Sequence, residues 1–440
     1  MKVLKFGGSS VADAQQFVKI KDIVFSDPER TAVVVSAPGK RFDKDNKVTD
    51  LLYLCCAHIK YDVDYTEVLA NIKARYYQIA NELGIDFDLD SEFAEIQRAI
   101  DEDEEDEDYI VSRGEYITAK MMACYLGYEF IDAYGHVFFN YDMSIDSEQT
   151  YESLKLAVDA AGGKVVMPGF FGTMPDGKLA LMQRGGSDVS GAILAAALDA
   201  DVYANWTDVP GILMADPRIV EEEFPIPEIT FDELRELTYM GAKVLHESAI
   251  FPVREKGIPI NIRDTNSPEE PGTMIAESFE ESDASDHAFY ITGVTGRKGF
   301  NILNVTYKNI GSELNILSDV LDVFQKYKIK VESTTSSVDV FSFVVSRKEI
   351  KQNIYALLAE IEDICGAGAV SVVENISLVA CISRRMVGRP GVSGKIFGAL
   401  GTSDINIKFA LQGTQELTIL LGVDDRDLNG AIKVLYNSFC

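Results

Sequence analysis

The apolar stretch Met1-Lys2-Val3-Leu4 continues through Lys5 and Phe6 into Gly7-Gly8-Ser9-Ser10, and helical spacing follows at once. No other feature constrains the fold as much. A strand, a glycine turn and a helix in immediate succession bring bare backbone N–H groups and a helix N-terminus to one edge of a sheet. Lys5 adds a full positive charge at the strand end. The chemistry described is a phosphate cradle, with a plain structural turn as the alternative.

The chain continues as an α/β protein should. Apolar runs at 1–6, 31–36, 128–132, 164–168, 202–206 and 259–262 alternate with helical patterns at 11–25, 48–60, 65–83, 115–126, 148–160, 189–198 and 231–238. This alternation predicts a buried, mainly parallel central sheet. Residues 268–272, with polar neighbours up to 286, predict a linker. Beyond it, strands at 300–307, 330–335, 338–346 and 369–373 interleave with helices at 316–327 and 350–361 to give βαββαβ. A second set follows: strand 376–383, helix 392–400, strands 405–411 and 416–422, and helix 428–438. It is one strand short, and 289–295 lies spare upstream. The organisation predicted is a domain over 1–280, a βαββαβ module over 300–375, and a second module made of 288–299 plus 376–440. A length of 440 residues accommodates two or three domains.

The net charge of −29 argues against nucleic acid and anionic membrane as partners. No apolar run is long enough to span a bilayer and no signal-peptide pattern opens the chain, so the cytoplasm is the expected location. The six cysteines show no CxxC spacing and the four histidines no ligand spacing, so neither a zinc site nor a disulfide framework is indicated. The eight acidic residues from Asp101 to Asp108 read as a solvated, self-repelling loop.

Several short motifs carry chemistry. Arg184-Gly185-Gly186-Ser187-Asp188 stands between an apolar triplet and an apolar helix, where Arg184 can grip a carboxylate or phosphate in two-pronged fashion. Helix capping alone also accounts for Asp188. Trp206-Thr207-Asp208-Val209-Pro210-Gly211 follows a strand, and Asp216-Pro217-Arg218 comes shortly after. A Thr-Asp pair there can bind a nucleotide; a Pro-Gly turn with surface charges is the alternative. Gly241-Ala242-Lys243-Val244-Leu245-His246 places a lysine beside a glycine. Ser112-Arg113-Gly114-Glu115 leads into the predicted helix, so Glu115 either serves the helix dipole or pairs with a substrate ammonium. Thr49 opens the helix after the Ser36-Ala37-Pro38-Gly39 turn.

These motifs, in this order, resemble those of the aspartokinases, and the likeness runs from end to end, including paired C-terminal ACT modules. The resemblance implies an amino-acid kinase fold followed by two ferredoxin-like modules. It implies phosphoryl transfer from ATP, with Mg2+, to the β-carboxylate of L-aspartate, giving 4-phospho-L-aspartate for lysine, threonine and methionine biosynthesis. By the same resemblance, Lys5 neutralises the transferring phosphoryl group and Gly7, Gly8 and Ser9 hold phosphate oxygens. Glu115 binds the aspartate ammonium, Arg184 its α-carboxylate, and Thr49 and Ser187 support it. Asp188 organises Lys5, while Thr207, Asp208, Asp216, Arg218 and Lys243 serve the nucleotide. A carboxylate nucleophile is already ionised at neutral pH, so no general base is required.

Feedback inhibition is implied as well, with lysine first and threonine second as effector. Ile310, Ser312, Ile316, Glu332, Thr335 and Ser336 would line that site, with Glu332 facing a lysine ammonium. A homodimer or higher oligomer joined through the ACT modules is expected. Two departures from the pattern stand out: Leu213, where lysine-sensitive relatives often carry an aromatic, and Gln183, where glycine is usual. The rival readings are a kinase of the same fold acting on glutamate, carbamate or a nucleotide, and a catalytically silent amino-acid sensor. No dinucleotide-binding dehydrogenase domain is expected, given the length.

Overall fold

The computed structural model describes residues 1–439 except 103–105, 183–184, 222–223, 243–244, 246, 281–290 and 308–314. The described chain divides into two compact units. The first comprises Met1–Ile212, Pro225–Arg235 and Lys243–Glu281, and the second comprises Leu213–Phe224, Glu236–Ala242 and Ser282–Cys440.

In the first unit the strands are β1 (Lys2–Phe6), β2 (Arg30–Val35), β3 (Glu129–Phe130), β4 (Val165–Pro168), β5 (Phe171–Thr173), β6 (Leu179–Leu181), β7 (Val202–Thr207), β8 (Glu228–Thr230), β9 (Ile260–Asp264) and β10 (Thr273–Ala276). Eight of them form one sheet in the order β3-β4-β2-β1-β7-β9-β10-β8, and β5 and β6 make a separate hairpin. All neighbours in the large sheet are parallel except β9 and β10. Val33, Val34, Val35, Leu4 and Phe6 are fully buried, as expected of central strands covered on both faces.

Helix starts follow a recurring rule. Asp13, Asp88, Asp106 and Asp146 each accept a backbone N–H three residues on, at the N-termini of helices Ala14–Phe25, Leu89–Asp101, Glu107–Leu126 and Ser147–Ala160. Gly84 and Gly127, both left-handed, end helices Thr66–Leu83 and Glu107–Leu126.

Three expectations are corrected here. The helix predicted to begin at Glu115 begins at Glu107, capped by Asp106, so Glu115 sits in its interior. The acidic run is not simply a loop: Asp101 closes one helix, and Glu107 and Asp108 open the next, where the helix dipole favours negative charge. Asp108 also accepts a hydrogen bond of 3.1 Å from the Leu181 backbone N–H. Thr273–Ala276, placed in the linker by its neighbours' polarity, is a strand paired on both sides. Helices Leu89–Asp101 and Glu247–Glu255 were not anticipated; the first buries Leu89, Phe93, Ile96 and Ala99 along one stripe.

The second unit is built on one six-stranded antiparallel sheet. Its strands are β11 (Gly293–Thr306), β12 (Val331–Ser336), β13 (Val340–Ser346), β14 (Val370–Ile382), β15 (Phe409–Gln412) and β16 (Thr418–Asp424), in the order β12-β13-β11-β14-β16-β15. The segments predicted as separate strands at 289–295 and 300–307 are continuous in β11 over their described part. Those at 369–373 and 376–383 likewise form the single strand β14. Register shifts near Arg297, Phe300 and Ile302 bend the pair.

Residues 293–297 pair with 378–382, so the spare strand completes the C-terminal set. Each half then has the same order: β12-β13-β11-β14 in one, β15-β16-β14-β11 in the other. Residues 213–224 and 236–242 pack on this sheet. The Val294 N–H donates to Met214 O at 2.7 Å, and a Cβ on Gly293 would meet Leu237 at 2.8 Å.

Candidate active site

The carboxyl ends of β1, β2, β4 and β7 lie side by side, the usual place for ligands in an open α/β sheet. Gly7 follows β1, and its N–H donates to Trp206 O at the end of β7 (3.1 Å). Gly8 O accepts from the Gly39 N–H (2.7 Å), which ties the first loop to the turn after β2. The approach is close enough that a Cβ on Gly39 would lie 2.5 Å from Gly8 C. Beyond β4, a Cβ on Gly169 would strike Ser187 at 2.8 Å. Of the glycines expected at the cradle, Gly8 is tightly confined, a Cβ there lying 3.0 Å from Ala37 O, whereas a Cβ on Gly7 would make ordinary contacts at 3.4 Å and beyond.

Helix Gly186–Ala197 starts over these loops, with Gly185 in the left-handed conformation at its cap. Asp188 is in its first turn. Nζ of Lys5 lies 2.6 Å from Asp188 Oδ1. Lys5 is only 7 % exposed. Ser9, Thr49, Ser187 and Thr207 are half-buried, and Asp208 is exposed. Thr207 and Asp208 are linked at 3.2 Å.

Glu115 is 4 % exposed. It accepts backbone hydrogen bonds from Ala37 and from its own N–H. Its Oε2 has no partner among the described residues. Burial pushes the carboxyl up to about 8, against the lowering effect of those two bonds. Two residues earlier, Arg113 is stacked between Tyr109 (4.3 Å) and Tyr116 (4.1 Å). Among the described residues Glu115 is thus a buried acid with a vacant hydrogen-bonding position and no cation partner.

Sequence reasoning missed two groups here. Asn205, in the middle of buried β7, donates from Nδ2 to Asp188 Oδ1 at 3.0 Å. Its signal was a lone amide within the otherwise apolar run Val202–Trp206. Arg75 is buried on helix Thr66–Leu83 and donates to Ala12 O (3.1 Å), Asn46 O (2.8 Å) and Gly39 O. It braces the turn that touches Gly8, together with Asp45, which it approaches to 3.7 Å. Arg41 and Arg75 hold the Asp45 carboxyl well below the usual carboxylate range, the Arg41 hydrogen bond first.

Other expected residues fall elsewhere. Arg184 and Lys243, and the departure Gln183, lie outside the described residues, as do Ile310 and Ser312. Asp216 and Arg218 belong to the second unit, where Arg218 grips Asp216 with bonds of 2.9 and 2.6 Å and is otherwise exposed. Ile316 is buried in helix Asn315–Lys326, and Thr335 and Ser336 lie on β12. Glu332, also on β12, is not an open carboxylate. It accepts from Tyr239 Oη (2.7 Å), Arg297 Nη2 (3.4 Å) and Lys330 Nζ (3.4 Å), with its side chain 4 % exposed. Among the described residues no cluster of three or more His, Cys, Asp or Glu side chains forms a metal cage.

Residues 1–264 match the amino acid kinase family and residues 379–439 the ACT domain. Aspartokinase 3 of Bacillus subtilis is 30 % identical over 453 residues, covering 100 % of this chain and 98 % of that protein. The crystal structure of Clostridium acetobutylicum aspartate kinase is 40 % identical with a TM-score of 0.88, covering 100 % of this chain and 99 % of that one. E. coli aspartokinase III, solved with aspartate and ADP, is 25 % identical with a TM-score of 0.71, at 100 % and 99 % coverage. Matched over more than half its length by the family and over its full length by these proteins, the chain belongs to the amino acid kinase family, in its aspartokinase branch.

Proposed function

We propose that this aspartate kinase binds free L-aspartate with its ammonium on Glu115 and its β-carboxylate facing the loops at Lys5 and Asp188. The carrying observation is the buried carboxyl of Glu115, without a cation partner among the described residues, beside the Ala37–Gly39 turn, which itself contacts Gly8. An ammonium would supply the missing partner. Arg184 is assigned to the α-carboxylate, with Thr49 and Ser187 supporting the substrate.

In the transfer, an oxygen of the β-carboxylate attacks the γ-phosphorus of ATP. The bond from that phosphorus to the β,γ-bridging oxygen breaks, and ADP leaves with the electron pair. No proton has to move. Lys5, Gly7, Gly8 and Ser9 stabilise the phosphoryl oxygens, so the protein's share is positioning and charge neutralisation. Thr207, Asp208, Asp216, Arg218 and Lys243 are assigned to the nucleotide. Magnesium takes one or two carboxylates together with substrate phosphates and needs no full protein cage; Asp208, exposed just beyond β7, would be one such carboxylate. When bound, Mg2+ neutralises charge on those phosphates.

The product is 4-phospho-L-aspartate, and the place of action is the cytoplasm. The described residues include no helix long and apolar enough to cross a membrane. The E. coli relative has also been solved with lysine and aspartate. We assign an end-product amino acid, lysine before threonine, to the second unit, and a homodimer or larger oligomer joined through it. A lysine ammonium at Glu332 would have to displace Lys330 or Tyr239. Lysine at millimolar concentration should raise the melting temperature and slow the enzyme. If it does neither, lysine is not the effector.

Substrate choice is read from ADP release with MgATP. L-aspartate should support turnover, while L-glutamate, carbamate and uridine monophosphate should give less than a hundredth of its rate. Comparable turnover with any of those three would reassign the substrate.

A further inference from the structure

From the contacts around Asp188 we infer that Asn205 is a positioning residue for phosphoryl transfer, holding the Asp188 carboxylate in place while Lys5 is released toward the phosphoryl group. The inference rests on the reading of Lys5 and Asp188 as transfer residues.

The arrangement is built from two adjacent strands and one helix. β1 and β7 pair in parallel with Lys5 opposite Asn205. Both side chains reach the same oxygen, Asp188 Oδ1, at 2.6 Å from Lys5 Nζ and 3.0 Å from Asn205 Nδ2. Two residues before Asn205, and so on the same face of β7, Tyr203 Oη donates to the Asp188 backbone carbonyl at 3.0 Å. The helix lies very close to this face. A Cβ on Gly191 would sit 2.6 Å from Tyr203 Oη and 2.9 Å from Lys5 Cβ. The side chain and the backbone of Asp188 are therefore each fixed from β7.

An amide in the middle of a fully covered strand is unfavourable unless it is hydrogen-bonded. Here it shares an acceptor that Lys5 already holds. A shared Oδ1 holds the ammonium less tightly than an exclusive one. It also keeps a donor when Lys5 turns toward incoming phosphoryl oxygens. Without Asn205, moving Lys5 would leave the carboxylate free to rotate or to retain the ammonium, and transfer would slow without loss of substrate binding.

Two variants test this. Asn205→Leu removes the donor, and Asn205→Asp keeps the shape while replacing the donor by a carboxyl. The groups facing the introduced carboxyl are Lys5 from β1, Asp188 from the helix and the Tyr203 hydroxyl from its own strand. Its neighbour on β9, Ile262, is apolar. Both variants should lower kcat by about 10- to 100-fold, with the KM for ATP and for aspartate each within threefold of wild type.

Two carboxylates this close favour sharing one proton. The Asn205→Asp enzyme should therefore regain activity as pH falls from 8 to 6, relative to wild type at each pH, because the protonated carboxyl again donates to Asp188. Wild type and Lys5→Met are assayed alongside. If Lys5→Met retains wild-type turnover, the reading of Lys5 fails, whatever Asn205 shows. If Lys5→Met is inactive while both Asn205 variants keep kcat within threefold, the inference about Asn205 is wrong. It is also wrong if kcat and both KM values change together and Asn205→Asp shows no recovery at low pH, since that pattern is a structural defect. Should Asn205→Leu fail to fold, the isosteric Asn205→Asp decides alone.

Discussion

Lys5→Ala should lower kcat by about a thousandfold, because it removes a charge most needed when the phosphoryl group is in transit. The structure adds a complication. Lys5 is buried against Asp188, so its deletion leaves a half-buried carboxylate whose remaining side-chain donor among the described residues is Asn205. Removing one member of a buried pair costs stability as well as activity. Lys5→Met keeps the aliphatic stem packed beside Gly191 and isolates the charge. Both variants should show the same loss of kcat, and Lys5→Met should melt closer to wild type. A folded Lys5→Met protein with near-normal turnover would remove Lys5 from the mechanism.

Glu115→Gln should raise the KM for aspartate about a hundredfold and change the KM for ATP little, because the ammonium loses a buried, charge-assisted partner. The sign of the pH dependence follows from burial. With its carboxyl pushed up to about 8, Glu115 is mostly protonated in the free enzyme at pH 7. Binding an ammonium requires the carboxylate, so aspartate binding at pH 7 should release close to one proton, and the KM should fall as pH rises through 8. Calorimetry in two buffers of different ionisation enthalpy measures that proton.

Stability moves the other way. A carboxyl raised above its unfolded value favours the fold fully below about pH 4, and this contribution is lost as pH rises through 8. Glu115→Gln removes the dependence, so the variant should melt several degrees above wild type at pH 8.5 and close to it at pH 5. A variant that is less stable at pH 8.5 and binds aspartate normally would contradict both halves of the argument.

Much of this site was legible before any coordinates. Strand-glycine-helix junctions have local physical causes, so the loops at Gly7 and Gly185 and the carboxyl ends of β1 and β7 emerged from patterning. The missing strand of the C-terminal set was legible by counting, because each half of the sheet needs four strands. Long-range roles were hidden. Arg75 reads as one more charge on an amphipathic helix, and its partners are three backbone carbonyls from two distant segments. Asn205 becomes meaningful only when β1 lies beside β7 with Lys5 in register. The sequence pattern puts Glu115 at a helix start, whereas it lies inside the helix Glu107–Leu126. The true start is set by Asp106, inside an acidic run that reads as loop because like charges repel. Glu332 shows the converse: a sequence displays its charge, and only the packing shows that Tyr239, Arg297 and Lys330 already occupy it.

In the proposed mechanism the β-carboxylate of free L-aspartate receives the phosphoryl group. The most direct measurement is to run the purified protein with MgATP, L-aspartate and hydroxylamine, which traps an acyl phosphate as a hydroxamate, and to compare it with ADP formed. Transfer to the β-carboxylate requires β-aspartyl hydroxamate in a one-to-one ratio with ADP, and neither product without L-aspartate. ADP release independent of aspartate, or aspartate-dependent ADP without the β-hydroxamate, would contradict it.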